Sequence, residues 1–467
     1  MLDAEGRLII NAPHIPVHLG ALGLCVREVV ARLKLEPGDV VVTNHPACGG
    51  SHLPDVTLIA PVFDKTGVLL GYVANRAHHA EIGGIAPGSM SPAAKSLVEE
   101  GVVIAPMHLF KKGEASWAEM TACLREAPFP TRRLEENLAD LQAQVAAIRL
   151  GESALHQMAS AFGADKLREQ MVLIHNQAAR AIRRKLADWA GRDLRATQRL
   201  DNGGELVVRI RVNNDAMEID FTGTSPVVDG NLNATPAIVR SVLVYVLRLL
   251  VDEEMPLNEG LLEPVRVILP ECLLNPDFGG DDSSAPAVFG GNVEVSQRLV
   301  DTLLLAFEAA ACSQGTMNNF VMGDATRSYY ETIGGGTGAG DGFPGTSGVH
   351  VHMSNTAITD PEILEWWFPV RLHRFALRAG SGGTGQWNGG DGLVREIEFL
   401  EPQTVSLLGQ HRTVGPFGLA GGSMGKCGRQ TVIRSDGAVE EQKFAAQLVM
   451  QSGDRLVIET PGGGGYG

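Results

Sequence analysis

The chain has 467 residues, a formal net charge of −15 at pH 7 and a hydrophobic fraction of 44%. This fraction is enough for a buried core and excludes wholesale disorder. An acidic chain repels phosphate backbones, so the charge argues against a nucleic-acid partner. Glycine accounts for 56 residues, well above the usual share of ~7%. This surplus favours an enzyme built of loops on a sheet scaffold over a helical bundle.

The sequence shows no membrane-spanning or secretory segment. Arg240 and Arg248 interrupt the longest apolar stretch, and no run reaches the ~18–20 residues that a membrane span requires. The N-terminus lacks a basic start followed by an apolar stretch. The six cysteines are scattered without a CxxC pair, which predicts reduced thiols. We therefore expect a cytoplasmic protein.

The first 130 residues are predicted to form an α/β region. Apolar residues at three- and four-residue spacing predict a helix over 21–35. Short apolar runs bounded by turn residues predict strands over 39–43, 55–63 and 68–77. A helical segment rich in Ala, Leu, Arg and Glu follows over 131–200, with one break at Phe162-Gly163.

The rest of the chain divides into a central region and a glycine-rich module. Residues 201–333 are predicted to be α+β, with a hairpin and two apolar helices; these elements cover 205–212, 217–222, 235–252 and 295–311. Residues 334–467 hold 29 of the 56 glycines and are predicted to form a β module. Its predicted strands cover 349–353, 370–378, 393–400, 404–408, 431–434 and 455–459. The predicted fold class is mixed α+β.

Two polar clusters follow neighbouring predicted strands. One runs from Asn44 to Asp55 and includes His45 and His52, and the other runs from Asn75 to Gly84. Two histidines and one aspartate from adjacent strand ends offer three N/O ligands to Zn²⁺, Mn²⁺ or Fe²⁺ and leave positions open for water or substrate. Surface or packing roles for these histidines remain the alternative.

Within the second cluster the strand alternation separates the candidate side chains. His78 and His79 are neighbours and point to opposite faces, so at most one of them ligates the same metal in regular strand geometry. Arg76 shares a face with His78 and is placed to clamp an anionic group.

Four further histidines form weaker candidate pairs. His350 and His352 share a face if residues 349–353 form a strand. The alternative for them is an edge pair or a pair inside a barrel. His14 and His18 are weaker still, because Pro16 argues against a helix that would align their rings.

The glycine motifs do not predict a nucleotide site. Gly380 to Gly385 matches G-x-G-x-x-G, but the glycine-rich residues that follow cannot start the helix that this fingerprint needs. Gly421 to Cys427 lacks the spacing and the final Ser/Thr of a phosphate-binding loop. The sequence has no H-E-x-x-H motif. We therefore do not expect this chain to bind ATP itself.

Several strings along the whole chain resemble the hydantoinase B / 5-oxoprolinase β-subunit family. That group includes N-methylhydantoinase, oxoprolinase and caprolactamase B subunits, with acetone and acetophenone carboxylase subunits as relatives. The matching strings begin with Ala12 to Gly20, Gly49 to Asp55, Ala74 to Ala80 and Pro87 to Met90. They continue with Gly290 to Glu294, Ser296 to Arg298, Ser313 to Asn319, Gly348 to Met353, Gly389 to Gly392 and Thr460 to Gly467.

The resemblance implies a division of labour between two subunits. An A subunit binds ATP and phosphorylates the amide or lactam oxygen, and a B subunit, which this chain resembles, completes the ring opening. It implies a divalent metal, Zn or Mn, on His52, Asp55 and His78. We assign proton transfer to His79 or His45 and phosphate binding to Arg76 as hypotheses. The alternatives are a subunit of an ATP-dependent ketone carboxylase and a non-catalytic scaffold for the A subunit.

This chain departs from the family pattern at three points. His45 stands where the family usually has Asp, and Glu81 stands where it usually has Asp. If the missing Asp is a ligand or supports one, His45 changes the metal preference or the local charge. Family members also begin earlier, with a helix and a strand, so we expect an N-terminal piece to be missing.

Overall fold

The computed structural model describes residues 1–12, 15–251, 253–324 and 327–467. Helices and four β-sheets alternate along these residues, which confirms the predicted mixed α+β class. No helix in the described ranges combines the length and the apolar character that a membrane crossing needs. The helices are α1 (Ala21–Arg32), α2 (Leu97–Glu100), α3 (Trp117–Arg125), α4 (Leu134–Phe162), α5 (Ala164–Asp188), α6 (Pro236–Leu250), α7 (Ser296–Phe307) and α8 (Pro361–Trp367).

The first sheet is antiparallel and has the strand order β3-β2-β1-β4-β5. Apolar residues of α1 pack against one side of it, among them Val26 and Val29. The three strands predicted in this region are confirmed with small shifts, but α1 ends at Arg32 because Leu33 is already extended. The strands are β1 (Val40–Thr43), β2 (Asp55–Phe63), β3 (Leu69–His78), β4 (Met107–Lys111) and β5 (Glu114–Ala115).

Two long helices cover part of this sheet. The predicted break between them is confirmed at Gly163, whose φ of +87° suits glycine. Buried residues of α4, such as Leu141 and Ile148, pack with Val56 and Leu58 of β2.

The centre of the molecule is the largest apolar core. It joins α6 and α7 to a second sheet with the order β6-β7-β8-β9, in which β8 and β9 are parallel. A π-helical turn over Gly291–Val295 leads directly into α7. The strands are β6 (Asp193–Arg199), β7 (Glu205–Val212), β8 (Met217–Asp220) and β9 (Val265–Ile268).

The C-terminal third contributes two antiparallel sheets. One has the order β11-β10-β14-β17 and the other β12-β13-β18-β15-β16. Because β10 and β11 precede residue 334 and pair with β14, one sheet crosses the predicted module boundary, which remains a prediction. The strands are β10 (Asn319–Gly323), β11 (Ser328–Glu331), β12 (Val370–Arg378), β13 (Gly392–Phe399), β14 (Gln403–Leu408), β15 (Arg429–Ile433), β16 (Val439–Glu441), β17 (Ala445–Met450) and β18 (Arg455–Glu459).

The glycine-rich tail runs between neighbouring loops at very short range. A Cβ on Gly463 would lie 1.8 Å from the carbonyl oxygen of Thr337, and one on Gly464 would lie 1.9 Å from that of Phe417. The amide of Gly464 donates to the carbonyl of Cys312 at 2.8 Å. At these positions glycine is needed for close backbone contact, since any side chain would separate the loops.

Candidate metal centre and its cavity

The β2–β3 hairpin brings the three predicted metal ligands together. Asp55 begins β2, His78 ends β3, and the two residues are direct cross-strand partners. His52 lies in the turn that leads into β2. One potential ligand atom from each of the three residues lies within 4.8 Å of the other two. Antiparallel pairing therefore closes a gap of 23 residues in the sequence between Asp55 and His78.

The atoms of this cluster face one another as ligands of a cation do. His52 Nδ1 lies 2.8 Å from Asp55 Oδ2, and His78 Nδ1 lies 3.3 Å from Asp55 Oδ1. The 2.8 Å contact lacks hydrogen-bond geometry, so His52 Nδ1 and Asp55 Oδ2 are buried polar atoms without a hydrogen bond to any described residue. Buried acceptors without donors are costly unless something compensates them. A divalent ion satisfies both atoms, so the three residues fit such an ion.

The surroundings favour the protonation states that metal binding requires. Burial lowers the pKa of His52 and so favours the neutral imidazole, although the Asp55 carboxylate opposes this shift. Burial alone would raise the pKa of Asp55, but the neighbouring His52 and His18 imidazoles and the close contacts of the carboxylate with His52 and His78 hold this pKa well below its usual range. A neutral imidazole and an ionised carboxylate are the ligand forms of these side chains.

A cavity of about 880 Å³ opens beside the cluster. His52 and Asp55 are almost fully buried, whereas the side chain of His78 is 36% exposed. The cavity wall is mostly apolar, with a few polar groups, and includes Ile15, Val17, His18, Leu19, Tyr245, Leu257, Asn292, Val293, Met317, Tyr330, Thr332, Asn355 and Thr356. A mostly apolar cavity with a few convergent polar groups is typical of a small-molecule site.

Several wall residues were not singled out from the sequence. Asn292 and Val293 reach the cavity from the π-helical turn, a rare conformation that is frequent at functional sites. Tyr330 comes from β11, and its ring centroid lies 6.0 Å from that of His78. Tyr245 comes from the middle of α6, which reads in sequence as an ordinary apolar helix. Asn292 and Val293 lie in the family-like string Gly290 to Glu294, but that string alone does not indicate a place at the cavity.

The structure places the three other predicted site residues outside the cavity wall. Arg76 donates to Thr57 Oγ1 at 2.8 Å, to Ser51 Oγ at 2.8 Å and to the Gly49 carbonyl at 2.9 Å. His45 contacts Asp282 at 3.0 Å through Nε2. His79 is buried and contacts Gln144 through Nε2 and Asn137 through Nδ1. Their catalytic roles remain predictions.

The weaker histidine candidates have different surroundings. His18 lies beside the three candidate ligands, with Nε2 at 3.6 Å from Asp55 Oδ2, whereas His14 lies outside the described residues. The predicted strand over 349–353 is wrong: Val349 makes one isolated bridge and His352 has a φ of +53° in a turn. His350 and His352 therefore do not share a strand face.

We predict that Gly49→Ala disturbs the loop that carries His52. Gly49 has a φ of +77°, and a Cβ there would lie 2.7 Å from the Cα of Cys25 on α1. Left-handed strain and displacement of backbone together should cost about 2–4 kcal/mol in the free energy of unfolding, with a loss of bound metal. Gly67→Ala is the matched control, because Gly67 has a φ of +87° with nothing within 4 Å of its Cβ position. Equal unfolding midpoints for the two variants would contradict the prediction.

We also predict that stability falls as the pH rises because of Glu100. This carboxyl group accepts hydrogen bonds from the amides of Val288 and Phe289, and Phe289 stacks on His52. Burial raises the pKa of Glu100 from 4.5 to about 8. Between pH 4.5 and about pH 8, Glu100 is deprotonated in the unfolded chain but protonated in the folded chain. The contribution of Glu100 to stability is therefore fully present below about pH 4.5 and is lost as the pH rises toward about 8.

Denaturant unfolding at a series of pH values tests the role of Glu100. Glu100→Gln, which remains neutral, should be less sensitive to pH than the unaltered chain over this range. Glu99→Gln controls for the loss of a neighbouring carboxylate that caps α2. A Glu100→Gln profile parallel to that of the unaltered chain would show that Glu100 is ionised in the fold.

This fold and site define a chain of the Hydantoinase B/oxoprolinase family, whose sequence profile matches residues 1–467. The chain belongs to that family. It is 44% identical to 5-oxoprolinase 1 of Arabidopsis thaliana over its whole length, and it covers 38% of that relative. It thus spans less than two fifths of the length of this curated relative.

Two solved structures share the fold across the whole chain. The crystal structure of the ATP-dependent caprolactamase from Pseudomonas jessenii aligns with a TM-score of 0.87 and 25% identity, covering 100% of this chain and 85% of that one. The nucleotide-free structure of an acetone carboxylase aligns with a TM-score of 0.87 and 16% identity, covering 100% of this chain and 70% of that one. At that identity the acetone carboxylase shows a common fold alone.

Proposed function

We propose that this chain is the B subunit of an ATP-dependent hydrolase of cyclic amides. The observation that carries the proposal is the His52–Asp55–His78 cluster, which opens onto a mostly apolar cavity. A cavity of this size and character accommodates the carbon skeleton of a hydantoin, 5-oxoproline or a lactam. The sequence identity to 5-oxoprolinase 1 and to the caprolactamase supports a cyclic amide as substrate.

The proposed reaction divides between two subunits. A hydantoinase A-type subunit binds ATP and phosphorylates the amide oxygen, which makes the carbonyl carbon electrophilic. This chain then completes the ring opening. A divalent ion on His52, Asp55 and His78, Zn or Mn by the ligand set, would supply Lewis acidity and a water of lowered pKa. The pairing of β2 with β3 holds Asp55 beside His78, and the apolar wall of the cavity holds the ring.

We retain Arg76, His79 and His45 as candidates for phosphate binding and proton transfer. Each has a protein partner for its polar atoms, so binding phosphate at Arg76 requires exchange of at least one of its contacts with Ser51, Thr57 or Gly49. We also place the complex in the cytoplasm, where ATP is available; the six free cysteines agree with this location.

Two measurements test the proposal on the chain purified together with a hydantoinase A-type subunit. Elemental analysis should find zinc or manganese bound to the complex. ATP hydrolysis should depend on a cyclic amide, assayed with hydantoins, 5-oxoproline and lactams. Turnover that instead requires a ketone and bicarbonate would move the chain to the carboxylase branch. Absence of bound metal from a complex with full activity would indicate a scaffold role.

A further inference from the structure

A second polar group reaches the cavity from the side of α6 and α7. The hydroxyl of Tyr245 lies 3.4 Å from His352 Nδ1, and His352 Nε2 lies 3.2 Å from Asp301 Oδ1. Asp301 is fully buried, and the side chain of His352 is 9% exposed. Tyr245 lines the same cavity as the metal cluster. A phenol, an imidazole and a carboxylate are therefore linked in series, and the phenol is the member of the series that lines the cavity.

The hydrogen-bond partners fix the direction of this series. Burial raises the pKa of Tyr245 to about 12, so the phenol keeps its proton at neutral pH. An ionised carboxylate only accepts, so His352 Nε2 carries the proton that is donated to Asp301, and His352 Nδ1 is left as an acceptor for the Tyr245 hydroxyl. Asp301 Oδ1 also accepts the amide of Ser313 at 3.1 Å, which anchors the carboxylate.

The fold holds His352 in an unfavourable backbone conformation to make these contacts. Its φ of +53° is uncommon for a residue with a side chain. The side chain of Gln297 on α7 bonds the backbone on both sides of it, donating to the Val351 carbonyl at 3.0 Å and accepting from the Met353 amide at 3.3 Å. A strained backbone conformation persists only where surrounding contacts hold it in place, and residues strained in this way concentrate at functional sites.

The other tyrosine of the cavity wall is bonded differently. Tyr330 donates its hydroxyl proton to Asn319 Oδ1 at 2.9 Å, and Asn319 in turn donates to Glu294. An amide oxygen does not take up a proton at neutral pH, whereas an imidazole does. Of these two wall phenols, Tyr245 is therefore the one whose hydroxyl directly contacts a titratable side chain.

We propose that Tyr245, backed by His352 and Asp301, transfers the proton of the ring-opening step. This inference rests on the proposed function. As the water oxygen bonds to the carbonyl carbon, the phenol oxygen takes a proton from that water while its own proton passes to His352 Nδ1. The proton then returns through the phenol to the ring nitrogen. When the C–N bond breaks, the hydroxyl group of the tetrahedral adduct gives its proton to the released nitrogen, which leaves as an amine, and the phosphoryl group stays on the new carboxyl group as an acyl phosphate. This step consumes one water, a second water hydrolyses the acyl phosphate, and Asp301 stabilises the transient imidazolium. Tyr245 is the catalytic residue and His352 is a positioning residue.

The test compares four variants of the complex with its A-type subunit: Tyr245→Phe, His352→Asn, their double variant and Tyr329→Phe. Asn tolerates the left-handed backbone of residue 352. Tyr329→Phe removes another buried phenol, one that donates to Glu331 away from the cavity wall. For each variant, kcat and KM are measured with a cyclic amide that the unaltered complex hydrolyses, and metal content is measured by elemental analysis.

Loss of a proton-transfer group should lower kcat by about 100-fold or more for Tyr245→Phe, with KM and metal content unchanged. His352→Asn should lower kcat too, and the double variant should be no slower than Tyr245→Phe, because residues of one relay are not additive. Tyr329→Phe should keep its kcat.

Two outcomes would overturn the proton relay from Tyr245 to His352, and a third would overturn the proposed function as well. An unchanged kcat in Tyr245→Phe would overturn it and leave the proposed function intact. Additive losses in the double variant would show that the two side chains act separately. A complex without amide-dependent turnover before any substitution would overturn both the relay and the proposed function.

Discussion

Replacing His52 with alanine should remove bound metal and amide-dependent turnover together. His52 Nδ1 and Asp55 Oδ2 form the closest contact of the cluster, and within the described part of the chain neither atom has a hydrogen bond to offset its burial. Without the imidazole, one carboxylate and one half-exposed histidine remain, which is too few ligands for tight binding of zinc or manganese. Metal affinity should fall by more than about 100-fold, a larger loss than removal of a group that only supports a ligand.

The measurement is metal content by elemental analysis, together with turnover, on the same preparation. His373→Ala is the matched control, because His373 lies on β12 and pairs with the surface carboxylate of Glu398. Asp55→Asn gives a second test that preserves side-chain shape while removing the negative charge. Full activity with normal metal content in His52→Ala would refute the metal assignment.

The parts of the site that follow from neighbouring strands could be predicted from the sequence. The strands over 55–63 and 68–77 are predicted next to each other in the chain, and antiparallel pairing of such neighbours places a residue at the start of one beside a residue at the end of the other. This is why the structure brings together His52, Asp55 and His78. The strand alternation also separated His78, on the cavity wall, from His79, which contacts Gln144.

The far wall of the cavity could not be predicted in the same way. Tyr245 and Asn292 lie more than 150 residues beyond His78 in the chain, and only the packing of α6 and α7 in the central core brings them to it. The histidines at 350 and 352 were noted from their alternation, but the alternation was misleading. The left-handed turn at His352 depends on Gln297, a contact between distant parts of the chain.

The C-terminal sheets contain a buried ion pair with a large expected effect on stability. Arg395 on β13 lies 2.6 Å from Glu331 on β11, and the two side chains are 1% and 3% exposed. Tyr329 also donates to Glu331 at 2.7 Å, and the Arg395 guanidinium lies over the ring of Phe375. The pair joins two different sheets directly before Thr332 of the cavity wall, so it links the C-terminal fold to the site.

Arg395→Met should lower the free energy of unfolding by about 3–5 kcal/mol. Burial already raises the pKa of Glu331, and Arg395 is the charge that opposes this shift. Without Arg395 the carboxylate must take up a proton or remain buried and unpaired. The double variant Arg395→Met/Glu331→Gln should recover part of the loss, because it removes the unpaired charge.

Arg455→Met removes an arginine from a more exposed ion pair, so the comparison separates the effect of burial on stability from the effect of losing a charge. Arg455 on β18 pairs with Glu396 at 2.7 Å, but its side chain is 42% exposed, so its loss should cost less than about 1 kcal/mol. Denaturant unfolding of the three variants measures the difference. If Arg395→Met and Arg455→Met lower the free energy of unfolding by the same amount, burial of an ion pair does not increase the cost of removing its arginine. If the double variant is no more stable than Arg395→Met, the cost lies in the lost contact of the Arg395 guanidinium with the Phe375 ring and not in an unpaired carboxylate.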